Sequence, residues 1–305
     1  MGELQLKTSP KGWLFLYIKG GFMKKLSLLF LVATLSISAF SAEKADGKAG
    51  ASVTESKKVD MANIDAITSA SIVPAAIVKE YVPKGFTDSK NKKALFVIGD
   101  PRHNSITFDM AYTAMKFFEE NGVEVTLRDL YAMKWNPVLS YDEFYYQKDG
   151  IGTPTKDVAE EQKLVTQADY IIFVYPNWHD SANSIVKGYQ ERVFAKEFAY
   201  TADNNGLRGL LKGKGLFTMM NCGFLGGGRG FIGNGVGISD EKWDSYMKAY
   251  KVFDDDLADW WGMDNYGRFM NDRYPKNLSE NYSKEIEKLR TDLKTSLQKT
   301  FIDKK

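Results

Sequence analysis

The sequence holds one cysteine, Cys222, and two histidines, His103 and His179, in 305 residues. A lone thiol excludes an internal disulfide and any cysteine-based metal cluster. A zinc site or a Ser-His-Asp machine would have to use one of the two imidazoles, and no Gly-x-Ser-x-Gly elbow is present. No metal site and no hydrolase is therefore expected. Charge of one sign is also missing. The 41 basic and 39 acidic residues leave a net charge of +2. No Lys/Arg-rich run interleaves with aromatics, which argues against a nucleic-acid partner. What the chain does have is apolar and aromatic material, 44% and 13% of its residues. That is enough for a substantial core, and it suits a planar ligand.

The first forty residues read as an address. Met23-Lys24-Lys25 is a short positive segment, and residues 26–40 are an apolar run. Ala39-Phe40-Ser41 then offers small residues at the positions a signal peptidase reads. This is the layout of a secretory signal peptide over residues 23–42, with an apolar run short for a membrane span. Residues 1–22 precede it and read as an upstream, untranslated extension. Residues 43–58 are rich in Ala, Gly, Lys, Ser and Glu without periodicity, the composition of a flexible linker. The expected organisation is thus 1–22 extension, 23–42 signal, 43–90 linker and 91–305 main domain, in a periplasmic or otherwise extracytoplasmic protein.

Within the main domain, short apolar runs alternate with helical periodicity. Strands are expected at 94–99, 123–127, 170–175, 215–220 and 266–270. Helices are expected at 105–121, 157–168, 181–194, 242–260 and 279–301. Such alternation implies an α/β fold with a five-stranded parallel sheet, doubly wound by helices on both faces. Ligands bind such sheets beyond the carboxyl ends of the strands. The informative residues should follow the first, third and fourth strands.

Three loops there carry chemistry. The first supplies Arg102, Ser105 and Thr107 at a helix N-terminus, whose unpaired N–H groups and dipole favour a phosphate. Ser105 alone could be a helix cap, but a cap needs one such residue, and Arg102 and Thr107 beside it favour a phosphate. The second, Tyr175-Pro176-Asn177-Trp178-His179-Asp180, offers backbone amides, an aromatic wall and an imidazole for a planar ring. The third, Asn221-Cys222-Gly223 and the glycines that follow, lets backbone approach the polar edge of such a ring.

Longer motifs then become specific. Lys187-Gly-Tyr-Gln-Glu-Arg192-Val-Phe, followed by Glu197-Phe198-Ala-Tyr200, resembles the segment Leu-Lys-Gly-Trp-Ile-Asp-Arg-Val-Phe…Gly-Phe-Ala-Tyr of the NAD(P)H:quinone oxidoreductase family. Tyr175-Pro176 and Trp178 match that family's Phe-Pro-Leu-Trp-Trp type of loop. Gly209-Leu-Leu-Lys-Gly-Lys214, Trp261-Gly262-Met263 and Asp129-Leu-Tyr131 fall in the family's order. The resemblance spans about residues 92–300. It implies a flavodoxin-like fold, FMN or alternatively FAD, hydride transfer from NAD(P)H to a quinone or similar small acceptor, and a homodimer. Carried over, Ser105 and Thr107 would touch the flavin phosphate, and Pro176, Asn177, Trp178 and His179 would line the ring. Asn221, Cys222 and Gly223 would meet its polar edge, with Tyr200 near the cleft. Tyr200 and His179 are the catalytic candidates. The sequence departs from the family at Asp100, where His is frequent and where an acid beside a phosphate is unfavourable. It departs again at Asn183-Ser184, in place of Pro-Ala. A flavodoxin-like electron carrier or a non-catalytic flavin-binding module is the alternative.

Upstream, Asp65-Ala-Ile-Thr68-Ser69-Ala70-Ser71 resembles the recognition sequence of flavin transferases, with Ser69 in place of the usual Gly. That resemblance implies covalent FMN on Ser71. Capping of a helix that starts near Pro74 is the competing role for this serine.

Overall fold

The computed structural model describes residues 4–8, 14–18, 85–149, 152–222, 240–273, 275 and 281–303. The chain divides into two units, residues 1–58 and 59–305. In the first, Leu4–Thr8 pairs antiparallel with Leu14–Ile18. Residues 23–42, read from the sequence as a signal peptide, and Ser71 lie outside the described residues.

The second unit carries a parallel sheet of five long strands. These are β1 (Lys93–Ile98), β2 (Glu124–Asp129), β3 (Tyr170–Trp178), β7 (Gly215–Cys222) and β8 (Asp264–Asn271), in the spatial order β2-β1-β3-β7-β8. This is the flavodoxin-like order, with its switch point between β1 and β3. A two-residue strand, β4 (Ser181–Ala182), pairs antiparallel with the end of β3. A separate hairpin joins β5 (Tyr200–Asp203) to β6 (Gly206–Gly209).

The strands form where the sequence is continuously apolar because both faces are covered. Residues 94–98 of β1 and 171–177 of β3 are buried throughout, as expected of central parallel strands. On one face, α1 (Ile106–Glu120) and α7 (Tyr282–Leu297) pack Phe108, Met115, Phe118, Leu289 and Leu293 onto Phe96, Ile98, Ile172 and Val174. The spacing of Ile286, Leu289, Leu293 and Leu297 gives α7 its single apolar stripe. The other face is covered by α3 (Lys156–Gln167), α4 (Ser184–Val193), α5 (Asp240–Ala249) and α6 (Asp255–Trp261). Among the described residues no helix is long and apolar enough to cross a membrane.

Three expectations change. The expected helix 242–260 is two helices, α5 and α6, separated by a 3-10 turn at Lys251–Phe253. Phe253 is drawn into the core beside Tyr175, with ring centroids 6.5 Å apart. Asp254 leaves helical geometry to cap α6, accepting from the Asp255 amide at 2.9 Å, and pairs with Arg268 of β8 at 3.3 Å. The expected helix 181–194 starts three residues late, because Ser181 and Ala182 pair with Trp178 and Asn177. Helix α2 (Tyr141–Asp149) and the β5–β6 hairpin were not expected at all.

Candidate functional site

The loop after β1 is held tightly. A Cβ on Gly99 would lie 2.2 Å from Val186 Cγ2 and 2.9 Å from Asn183 Oδ1, so only glycine fits where this loop crosses α4. Asn183 Nδ2 donates to the Gly99 carbonyl oxygen at 2.5 Å. The Asn that replaces the family's proline therefore ties two of the predicted loops together. His103 Nε2 reaches Asp129 Oδ2 at the end of β2, and its ring packs edge-on against Phe108 at 4.8 Å. His103 thus anchors the loop, a role not assigned to it from the sequence.

Asp100 is fully buried. Arg102 donates to it from its backbone N–H at 3.0 Å, from Nε at 3.2 Å and from Nη2 at 3.3 Å. The acid that looked unfavourable beside a phosphate is thus paired. Arg102, expected to bind the phosphate itself, pairs with Asp100 through Nε and Nη2 while its side chain stays more than half exposed. The two hydroxyls also separate. Ser105 is the N-cap of α1, accepting from the Phe108 amide at 3.3 Å. Thr107 is fully buried in the first turn of α1, and its Oγ1 has no hydrogen-bond partner. A buried hydroxyl left unpaired costs about 1–3 kcal/mol, so this atom is a candidate to take a partner that the protein does not supply.

The loop after β3 is a two-residue hairpin turn. β3 runs past the end of β1 to Trp178 and then folds back. Pro176 falls beyond the last β1–β3 pair, Ile98 with Val174, where a missing N–H breaks no bond to β1. His179 and Asp180 both have φ near 53°, the left-handed conformation a type I′ turn requires. Trp178 is 43% exposed and His179 is exposed. Tyr246 donates to Asp180 Oδ2 at 3.0 Å, and Tyr250 donates to the Asp180 carbonyl oxygen.

Between these loops, buried amides line the carboxyl edge of the sheet. Asn177 Nδ2 donates to Cys222 Sγ at 3.6 Å, while Asn177 Oδ1 has no partner. Asn183 Oδ1 is also unpartnered. Asn221, expected at the polar edge of the ring, instead accepts from Asn271 Nδ2 of β8 at 2.7 Å. Burial pushes the Cys222 thiol up to about 12, and the side chain is inaccessible. Cys222 thus offers a ligand its backbone only. Gly223 and the glycines after it lie outside the described residues.

The longest motif proves architectural. A Cβ on Gly188 would lie 2.1 Å from the Pro137 carbonyl oxygen, so α4 packs directly on backbone there. Arg192 donates to Glu143 Oε1 from Nε at 2.9 Å and Nη2 at 2.7 Å, and to the Asn136 carbonyl at 2.8 Å. Its guanidinium stands 4.6 Å from the Trp135 ring centre. Lys214 caps the C-terminus of α3, donating to the carbonyls of Thr166 at 2.7 Å and Ala168 at 2.6 Å. Tyr200 is not brought to the loops within this chain. Its hairpin leads to Leu211, whose amide donates to the Trp261 carbonyl at 2.9 Å, just before β7 and β8 begin. Tyr200 packs there against Trp260, 5.7 Å between centroids.

Comparison with known proteins fits this geometry. Residues 92–233 match a family model described as a flavodoxin-like fold. A Haemophilus influenzae protein named an uncharacterized NAD(P)H oxidoreductase is 41% identical over 105 residues, 34% of this chain and 51% of its own length. NAD(P)H dehydrogenase (quinone) 1 of Cavia porcellus is 31% identical over 125 residues, 36% of this chain and 46% of its own. The chain thus spans about half the length of these curated relatives. Among solved structures, a putative quinone reductase from Klebsiella pneumoniae superposes with a TM-score of 0.55 at 20% identity. It covers 70% of this chain and 86% of its own, a likeness of fold. Residues 92–233 thus match the flavodoxin-like family model, and the matched relatives include proteins named NAD(P)H dehydrogenase (quinone).

Proposed function

We propose that this chain is an exported flavin-dependent oxidoreductase that uses FMN to pass electrons to a quinone or a similar small acceptor, working as a homodimer. The observation that carries this reading is the set of unpartnered buried atoms at the carboxyl edge of the sheet: Thr107 Oγ1, Asn177 Oδ1 and Asn183 Oδ1. They sit in the first turn of α1, at the end of β3 and at the N-cap of α4, around the switch point where this architecture takes its ligands. A flavin mononucleotide fits that donor set. Thr107 and the first-turn amides of α1 would hold its phosphate. The Asn177 carboxamide oxygen would accept from an N–H, and Trp178 would wall the site. When bound, the flavin supplies the two-electron chemistry, and the protein orients it. His179, exposed on the turn, would pass a proton to the acceptor. The relatives are named for a reduced nicotinamide donor, and this chain, once exported, would take its electrons from a different reduced carrier.

Export rests on the signal-like segment 23–42. Outside the cytoplasm free nicotinamide cofactor is not expected, so a tethered flavin would serve as a relay. Ser71, its hydroxyl esterified to FMN phosphate by a flavin transferase, is the candidate attachment point.

The test is the visible absorption spectrum of the exported protein before and after acid precipitation. Yellow released to the supernatant supports a non-covalent flavin in the main domain. Yellow kept in the pellet, and lost in Ser71→Ala, supports the covalent one. A colourless protein that stays colourless with added FMN overturns the flavin reading. Flavin without NADH or quinone turnover would favour an electron carrier.

A further inference from the structure

Helix α5 stands beside the turn that follows β3, and its aromatic face does more than fill space. Trp243 and Tyr246 lie on α5, and Tyr250 is the residue that follows its end. Trp243 Nε1 donates to Asp272 Oδ2 at 2.5 Å, fixing the helix to the residue after β8. Tyr246 and Tyr250, with ring centroids 5.5 Å apart, both spend their hydroxyls on Asp180. One takes the carboxylate and the other the backbone carbonyl. Burial, followed by the Asp180 carboxylate, pushes the Tyr246 hydroxyl up to about 12, so it stays a donor through neutral pH.

The turn they grip needs holding. His179 and Asp180 are consecutive non-glycine residues with φ near 53°, in positions where Asn-Gly is preferred. His and Asp enter this conformation more readily than other non-glycine residues, yet two in succession still carry a cost that their surroundings must offset. Here the surroundings are the two β4 residues and the two tyrosines. The turn carries Trp178 and His179, the exposed wall of the candidate site.

We propose that Tyr246 and Tyr250 are positioning residues: their hydroxyls hold the His179-Asp180 turn in its left-handed form and so fix Trp178 and His179 at the site. The last step rests on the flavin reading given above; the hold on the turn does not.

The full chain is compared as wild type, Tyr246→Phe/Tyr250→Phe, and that double variant with Asp180→Gly, which eases the second left-handed position. Amide hydrogen exchange is followed in peptides covering 177–182 and 240–249, and FMN affinity by flavin fluorescence. The double variant should exchange faster in 177–182 and bind FMN about tenfold more weakly, the loss expected of two hydroxyl hydrogen bonds. Asp180→Gly should restore most of both while the tyrosines remain phenylalanine. Unchanged exchange in 177–182 overturns the proposal. So does failure of Asp180→Gly to rescue, since the tyrosines then serve only their own helix. If wild-type protein binds no FMN, the flavin reading fails, and exchange in 177–182 alone decides the hold on the turn.

Discussion

Asn183 reaches back 84 residues to donate its side-chain amide to the Gly99 carbonyl at 2.5 Å, joining the start of α4 to the loop after β1. Asn183→Asp would set a carboxylate against that carbonyl and leave both acceptors buried. It should cost about 1–3 kcal/mol, read as a lower urea midpoint with an unchanged denaturant slope.

Thr107 gives a prediction with two opposite signs. Thr107→Val removes a buried hydroxyl that has no partner in the folded protein. Stability of the ligand-free protein should hold or rise by about 1 kcal/mol, seen in thermal melts. FMN affinity should fall about tenfold, for one lost phosphate hydrogen bond. A variant that loses stability without losing flavin affinity would place Thr107 in the core and outside the site.

Arg192 and Glu143 are 4% and 5% exposed. Removing one partner strands a buried charge and should cost about 3–5 kcal/mol, measured by urea unfolding of Arg192→Met. The pH dependence has a definite sign. Burial raises the Glu143 carboxyl, but hydrogen bonds from Arg192 and Ser140 overcome it and hold the carboxyl below its ordinary value. A depressed folded value gives stability that is complete above the ordinary carboxylate range and is lost as pH falls through the folded value. Glu143→Gln should therefore be weaker at neutral pH and lose stability less steeply below about pH 4.

Cys222 should be inert in the native protein. Its thiol is buried and pushed up to about 12 by that burial, so little thiolate forms at pH 8. Iodoacetamide should leave the folded protein unlabelled by mass spectrometry and add one label in denaturing urea. Fast native labelling would mean that the end of β7 opens.

The central strands β1 and β3 were legible because each is a short apolar run covered on both faces, while β2 was legible by its alternation. The carboxyl-edge loops were legible for the same reason, since the topology dictates where they must lie. Individual roles within them were less so. Ser105 and Thr107 look alike as sequence, yet one caps α1 and the other is buried without a partner. Arg102 read as a phosphate ligand, and only the folded loop shows it committed to Asp100. Tyr246 and Tyr250 carried one usable signal, their i, i+4 spacing, but nothing in the sequence pointed that face at Asp180, 66 and 70 residues upstream.

What the sequence determined by itself is the α/β alternation and the family segment from Lys187 to Tyr200, because hydrophobic periodicity and motif order are local properties of the chain. What only the tertiary structure decided is the meaning of that segment. Gly188 and Arg192 are pinned by Pro137, Trp135 and Glu143, so the most recognisable motif builds the scaffold. Tyr200, which ends the motif, is carried to the far edge of the sheet. The physical reason is that a ten-residue helix runs from one edge of the sheet toward the other, about 15 Å in its own length. Residues adjacent in a motif can therefore serve opposite ends of the domain.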